Sequence, residues 1–420
     1  MSRRLHIRLE TPAASLDNSR LPLTHAIDAG VVGIATSCSC TGVLRPIYNP
    51  ATRNLGGNRT RVPLNTQPAT VAETAAVTER AKLCSLSVRS MSPWWDSYVT
   101  SHPEGTVFHL SAWQRLIESA FGYEPLHIVA EEGDRIVGLL PLFLARSRIF
   151  GRMLISTPQA AYGGILANSE DIHDALLRRA QQLADERNVR FLELRNRIDG
   201  KLATRDLYVT FRQELFPDPE KNFLSIPRKT RAECREGMRN GLEYKADALG
   251  VDGFYGIYAR SVRDLGTPVF SKKLFSKGKE EFGESCRIFS VHWKGKPVAA
   301  VWTLLYKDEV VPYYGGSIRE YNHLAVNNFM YWMLIKWGCE NGYKAFDFGR
   351  SKKGTGSFNF KKRWGMVMSD LPYQYYLVRD KSLPDTSPLN PKFSLPIQIW
   401  RRLPLPIANT LGPLISKHLV

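Results

Sequence analysis

The sequence predicts an α/β (α+β) protein built from two copies of one unit, each a mixed sheet flanked by helices, behind an N-terminal extension without regular structure. Three observations carry this. Hydrophobic residues make up 43% of the 420 positions and aromatics 11%, enough for a sizeable core. Segments of period 2 and period 3.6 begin only near Trp94; before that the chain is a patchwork of Pro, Thr, Ser, Asn and Arg. Most tellingly, the periodic segments recur in the same order about 155 residues later. We read residues 1–85 as a disordered extension, 86–215 as the first unit, 216–380 as the second, and 381–420 as a Pro-rich, basic, amphipathic tail.

Each unit opens on a hairpin. Asp134-Arg-Ile-Val-Gly-Leu-Leu-Pro-Leu-Phe143 follows Glu131-Glu-Gly133, and Lys296-Pro-Val-Ala-Ala-Val-Trp-Thr-Leu-Leu305 follows Trp293-Lys-Gly295. A glycine pair comes next, read as a turn: Ala161-Tyr-Gly-Gly164 in one copy and Tyr313-Tyr-Gly-Gly316 in the other. Then a helix. In the first copy Ile172, Ala175, Leu176, Arg179, Ala180 and Leu183 fall at helical spacing behind Ser169 as cap, with Glu170 and Asp171 in the first turn. In the second, Val326, Phe329, Met330, Met333, Leu334 and Trp337 form a stripe that stops at Gly342. Short strands close the units, Arg190-Phe-Leu-Glu-Leu194 and Lys344-Ala-Phe-Asp-Phe348. In the tail, Pro384, Pro388, Pro391 and Pro396 forbid one long helix. The segment reads either as a basic, Trp400-bearing patch lying on a membrane surface or as an arm packing on the body.

Charge and cysteine usage narrow the partners. The net charge of +17 favours phosphate-rich ligands, nucleic acid or an anionic membrane. Six scattered cysteines without C-x-x-C spacing argue against a disulfide framework or zinc site, so no metal is expected. No apolar run approaches 18 residues, and Val31 to Leu44 is too broken and too far in for a signal peptide, so a cytoplasmic location is expected.

The densest chemistry lies in Phe346 to Gly365. Gly354 and Gly356 let backbone N–H groups approach an anion, while Arg350, Lys352, Lys353, Lys361, Lys362 and Arg363 surround it with positive charge. The spacing is not that of a Walker A loop. Five interleaved aromatics, Phe346, Phe348, Phe358, Phe360 and Trp364, favour a partly buried oxyanion cradle over a solvated basic loop. Strand alternation turns Asp347 away from Phe346 and Phe348. The carboxylate there either takes a proton from an attacking amine or pairs with Arg350; Glu193 with Arg195 is its first-copy counterpart. Tyr162, Gly163 and Gly164, and likewise Tyr314, Gly315 and Gly316, place a phenol beside approachable backbone, or are simple turns. Arg228, Arg231, Arg235 and Arg239 recur about a helical turn apart, either a phosphate grip or a solvated face. The histidines are scattered and no G-x-S-x-G elbow exists, which leaves direct transfer rather than covalent hydrolase chemistry.

From about Trp94 to Val378 the chain resembles the FemAB-like acyltransferases, and within them the branch associated with PEP-CTERM/exosortase exopolysaccharide systems. The resemblance rests on Thr106-Val-Phe-His-Leu-Ser-Ala-Trp113, Tyr162-Gly-Gly164, Leu192-Glu-Leu-Arg-Asn-Arg197, Pro312-Tyr-Tyr-Gly-Gly316, Asn328-Phe-Met-Tyr-Trp332, Phe346-Asp-Phe-Gly-Arg-Ser-Lys352 and Gly354 through Gly365. It implies two tandem GNAT-like units and transfer of an acyl or aminoacyl group to an amine of a peptidoglycan or exopolysaccharide precursor. It also implies, through the match of Phe360-Lys361 to Trp364-Gly365 with the family's Phe-Lys-x-x-aromatic-Gly motif, that Lys361 stabilises the tetrahedral oxyanion. No tightly bound cofactor is implied. The acyl donor is a co-substrate, with acyl-CoA, acyl carrier protein and aminoacyl-tRNA all open; a charged helical arm toward tRNA is missing. The site expected is thus Lys361 and Asp347 as catalytic residues, with Tyr162, Gly163, Gly164, Arg195, Arg228, Arg231, Tyr314, Gly315, Gly316, Arg350, Lys352, Gly354, Gly356 and Phe360 binding substrate. The partners expected are an anionic donor, an envelope-precursor acceptor and a membrane face. The competing readings are a non-catalytic polyanion-binding protein and an acyl-CoA-dependent acetyltransferase of small amines.

Overall fold

The computed structural model describes residues 82–86, 93–133, 135–148, 150–197, 200–384 and 394–419. In chain order the first half carries β1 (Lys82–Leu86), α1 (Pro93–Ser101), α2 (Ser111–Phe121), β2 (Glu124–Pro125), β3 (His127–Glu132), β4 (Arg135–Leu140), β5 (Leu142–Ser147), β6 (Gly151–Ser156), β7 (Leu166–Ala167), α3 (Glu170–Glu186), β8 (Phe191–Leu194) and β9 (Ala203–Glu214). The second half carries α4 (Pro219–Ser225), α5 (Arg228–Arg239), β10 (Leu242–Ala246), α6 (Val251–Asp264), α7 (Lys272–Phe282), β11 (Cys286–Trp293), β12 (Lys296–Tyr306), β13 (Glu309–Ser317), α8 (Val326–Glu340), β14 (Ala345–Asp347), β15 (Ser351–Lys352), α9 (Gly356–Lys362) and β16 (Val367–Leu377). The tail forms α10 (Ser394–Arg402) and α11 (Leu405–Ser416).

The strands make a four-stranded sheet, β1-β3-β4-β7, and a long mixed sheet ordered β10-β11-β12-β13-β14-β9-β16-β8-β6-β5-β2, with β15 pairing β9 off that path. The chain crosses from one sheet to the other at Pro141, where β4 ends and β5 begins, because proline cannot donate a ladder hydrogen bond. The order of the long sheet reads alike outward from the central antiparallel pair of β9 with β16, through β14, β13, β12 on one side and β8, β6, β5 on the other. Each half thus lends its last strand to the other, since β9 pairs β14 and β16 pairs β8. This is the duplicated, tandem architecture expected from the sequence.

In both halves the central parallel pair is short. β13 meets β14 only at Glu309 with Ala345 and Val310 with Phe346; β6 meets β8 only at Leu154 with Leu192 and Ile155 with Glu193. Beyond these rungs no ladder joins the strands, and the functional residues collect where the ladders stop.

The expected elements form for the expected reasons. Ser169 caps α3 by accepting the Ile172 amide at 3.4 Å, Glu170 and Asp171 sit in the first turn, and Ile172, Leu176, Ala180 and Leu183 face the core. Lys294 and Gly295 both take positive φ, 49° and 75°, as the tight turn between β11 and β12 requires. In α8, Val326, Phe329, Met330 and Leu334 are buried, and the chain leaves the helix at Gly342 with φ 81°.

Three expectations are corrected. The extension read as disordered to residue 85 ends in strand, with residues 82–85 belonging to β1, which pairs antiparallel with β3; the rest of it lies outside the described residues. Tyr313 to Gly316 is not a turn but part of β13, in register with β12 as far as Ser317. Its glycines admit helices on both faces: a Cβ on Gly316 would lie 2.6 Å from Ser261 Cβ of α6, and one on Gly315 would lie 3.3 Å from the Tyr331 hydroxyl of α8. Finally, Trp400 is no surface anchor; it is 9% exposed and turned to the body, while the tail breaks into two helices at Leu403-Pro404.

Candidate functional site

Asp347 ends β14 with its side chain fully buried. One carboxylate oxygen accepts the Tyr162 hydroxyl at 2.6 Å; the other accepts the Thr210 hydroxyl at 2.6 Å and the Gly349 amide at 2.7 Å. It does not pair with Arg350, contrary to one of the two sequence readings, because three donors from three different segments already occupy it. Phe346 and Phe348 point the other way, into the core with Trp364 and Tyr331. Burial raises the Tyr162 phenol well above its ordinary pKa and the Asp347 charge adds to the shift, so Tyr162 stays a donor. The Arg197 guanidinium lies 4.7 Å above the Tyr162 ring.

The Tyr162-Gly163-Gly164 segment fits here only because two side chains are missing. Gly163 has φ 140°, and a Cβ there would meet the Thr157 side chain at 2.5 Å. A Cβ on Gly164 would fall 1.6 Å from Asn196 Oδ1, the atom that accepts the Ile165 amide. His109, pushed down to about 3 by burial, contacts the Gly164 carbonyl at 3.2 Å and the Thr106 hydroxyl at 2.8 Å.

Lys361, on α9, sends its ammonium back to the loop after β14. It donates to the carbonyls of Phe348, Gly349 and Arg350 at 2.5, 3.1 and 3.3 Å. Burial pushes its pKa down to about 8, with Asp347 opposing the shift and Arg350 adding to it. Phe360 packs on Tyr331 and Trp364, and Phe358 on Phe211, which presses α9 onto the sheet so that Lys361 can reach. Thr355 caps α9, and Gly354, at φ 78°, turns the chain into it; Gly356 has open space where a Cβ would go.

The loop held by Lys361 carries Arg350. This half-buried guanidinium donates to the Tyr373 hydroxyl at 3.0 Å and lies 4.7 Å over the Tyr208 ring. Among the described residues no carboxylate forms an ion pair with it. Tyr373 in turn donates to the Ala161 carbonyl, one residue before Tyr162. Lys352 approaches the same Tyr208 ring at 5.6 Å, and burial, reinforced by Arg350, lowers its pKa. Burial alone would raise the Tyr208 phenol, yet Arg350 and Lys352 outweigh it and hold it below the ordinary tyrosine range. Arg195 stands nearby but is matched: it binds Glu193 at 2.8 Å and the Ala160 carbonyl at 3.1 Å, while Tyr375 donates to the other Glu193 oxygen at 2.9 Å.

Tyr162, Arg195, Asp347, Arg350, Lys352 and Lys361 are therefore gathered around the ends of β8 and β14. Other expected residues are not. Tyr314 faces the opposite side of β13 and packs among Phe275, Trp302 and Tyr258; its neighbour Tyr313 instead reaches the site, donating to the Gln159 carbonyl at 2.6 Å. Arg228 is exposed at the start of α5, and Arg231 donates to the Leu224 carbonyl at 2.7 Å; from this helix the Thr230 hydroxyl donates to the carbonyl of Arg363, just beyond α9. Lys353 is spent on ion pairs with Asp206 and Asp370, as a solvated basic loop would have it. Two surface hollows, of about 430 Å³ beside Arg263 and about 440 Å³ beside Arg190, are lined by none of the expected site residues.

Sequence reasoning missed Tyr208 and Thr210 of β9 and Tyr373 of β16. The signal was present in β9, where Leu207, Val209 and Phe211 alternate with Tyr208, Thr210 and Arg212.

Residues 228–362 match the family model of the acetyltransferase (GNAT) domain. No curated protein matches the chain. Among solved structures, the crystal structure of FemX superposes with a TM-score of 0.56 at 13% identity, over 71% of this chain and 98% of that one. A tandem GNAT protein from the clavulanic acid biosynthesis pathway superposes at 0.47 and 11% identity, over 72% of this chain and 100% of its own. The C-terminal domain of a putative lysylphosphatidylglycerol synthetase from Agrobacterium fabrum does so at 0.45 and 13% identity, over 67% and 92%. The chain carries a GNAT-type acyltransferase domain, and its fold is similar to that of FemX.

Proposed function

We propose that this protein is an N-acyltransferase that moves an acyl group directly from an anionic donor to an amine of a cell-envelope precursor, a peptidoglycan or exopolysaccharide intermediate. The observation that carries the reading is Arg350, a guanidinium half-withdrawn from water with a phenol, two aromatic faces and, among the described residues, no carboxylate. A cation in that position favours an anion to complete it, and Arg suits a phosphate for its fork of donors. Acyl-CoA fits best among the three donors, because the matched domain is of the acetyltransferase kind and the site offers Arg350 and Lys352 to a phosphate group.

In the reaction the amine nitrogen attacks the donor carbonyl carbon, the C–N bond forms, the donor's thiolate or alkoxide leaves with its bonding pair, and the proton that the nitrogen loses ends on that leaving group. Positioning and electrostatics carry such a step. Lys361 and Asp347, expected as catalytic residues, act here instead as positioning residues: the ammonium is taken up by three consecutive carbonyls of the Arg350 loop rather than free for an oxyanion, and the carboxylate ties that loop, through the Gly349 amide, to Tyr162 of the other half.

The test is turnover by mass spectrometry with acyl-CoA, acyl carrier protein and charged tRNA as separate donors. Arg350→Gln is expected to raise the donor KM about 10- to 100-fold, the span of one lost charge-assisted contact of roughly 1.5–3 kcal/mol. An unchanged KM, or no transfer by the wild type from any donor, sinks the reading.

A further inference from the structure

The tail packs on the body inside out. The faces of α11 that meet α6 and the strand ends are made of small residues, Ala408, Gly412 and Ser416, and a Cβ on Gly412 would lie 2.9 and 3.0 Å from the Val269 backbone nitrogen and oxygen. The large aliphatics look outward: Ile407, Leu411 and Leu414 recur at helical spacing and are 46%, 41% and 55% exposed. On α10, Leu395 and Ile399 are 64% and 55% exposed, and Leu265 of the body beside them is 64% exposed. A surface helix in water ordinarily puts these residue types the other way round. The tail is nevertheless docked firmly: Arg263 donates to the Leu403 carbonyl at 2.8 Å, Tyr123 to that of Lys417 at 2.7 Å, and Gln159 to that of Leu419 at 3.1 Å. The apolar stripe is therefore held facing out.

We infer that this face is a docking surface for an anionic phospholipid bilayer, on which α10 and α11 lie flat. Charge selects that occupant. Residues 394–419 contain Arg401, Arg402 and Lys417 and not one Asp or Glu. At the α10 end, the hollow of about 430 Å³ is lined by Arg260, Arg263, Arg319 and Arg401 against Asp264 and Glu320. Of these, Arg260 pairs with Glu320 and Arg263 with Asp264, while Arg319 and Arg401 meet no carboxylate among the described residues. Two unmatched arginines in a hollow of that size suit a lipid phosphate. A second copy of the chain would set basic tail on basic tail with no acid to match them. Large apolar residues outward with cations at the rim is the pattern of an interfacial helix, and α11, twelve residues long, is too short to span. Among the described residues no helix is long and apolar enough to cross a membrane, so the surface rests on the bilayer rather than in it.

The experiment is co-sedimentation of the full chain with vesicles of phosphatidylglycerol and phosphatidylcholine, and of phosphatidylcholine alone, in low and high salt. The wild type is expected to pellet with the anionic vesicles at least tenfold more tightly than with neutral ones, and less so in high salt. Leu411→Gln with Leu414→Gln, and separately Arg401→Gln with Arg402→Gln, each lower that affinity tenfold or more while leaving the melting temperature unchanged, since all four side chains are exposed. Equal binding to neutral vesicles, no binding to anionic ones, or retained binding by both double variants overturns the inference. So does light scattering that shows a wild-type dimer broken by the leucine double variant.

Discussion

Arg350 depends on residues that never need touch a substrate. Its loop is short, running between β14 and β15, which both pair β9; within it Lys361 holds three carbonyls and Asp347 one amide. The ammonium sits in a site that disfavours its charge, at a pKa of about 8 against an ordinary 10.5. Between those values the unfolded chain still holds the proton while the folded chain has lost it, so this group makes stability rise with pH across the window of about 8 to 10.5, and its penalty is fully present below 8. Comparing melting temperatures of wild type and Lys361→Met from pH 7 to 10 should show the wild type gaining on the variant as pH rises; parallel curves would contradict the buried placement. Turnover should run the opposite way, falling above about pH 8 as Lys361 loses its charge and one of the three N–H groups that hold the carbonyls. The sequence singled out Lys361, Asp347 and Arg350, because dense charge between aromatics is visible locally. Where each side chain points was not visible, since the Asp347 partners Tyr162 and Thr210 are 185 and 137 residues away.

Elements here are joined by missing side chains as much as by present ones. Gly164 lets the connection from β6 to β7 cross the end of β8 against Asn196, and Gly316 lets α6 lie on β13. Gly164→Ala must displace Asn196 from its bond with the Ile165 amide and should cost about 1–3 kcal/mol in chemical denaturation, whereas Gly356→Ala, with open space at its Cβ, should cost nothing measurable. Equal effects would mean that Asn196 gives way freely. The glycine pairs were plain in the sequence, but their conformations were not. The first is a bend between strands and the second an extended strand, because helices press on both faces of β13 while the Tyr162 segment passes over a strand end.

Across the whole molecule, the exchange of β9 and β16 makes the two halves one cooperative body. The repeat itself could be read from spacing, since each unit's hairpin, helix and strand are local patterns. The exchange could not, because β9 finds β14 more than a hundred residues on and nothing in its composition names that partner. Calorimetry should accordingly show a single transition whose calorimetric and van't Hoff enthalpies agree, and two separable transitions would contradict the shared centre. The same exchange brings Tyr208 and Tyr373, one from each lent strand, against Arg350. The most direct measurement of the account is a comparison of donor affinity for acyl-CoA and for the same acyl group on pantetheine, which lacks the nucleotide phosphates, in wild type and Arg350→Gln. If Arg350 receives the anionic part of the donor, the wild type should prefer acyl-CoA at least tenfold and the variant should lose most of that preference; a variant that keeps the full preference would place the phosphates elsewhere and contradict the site.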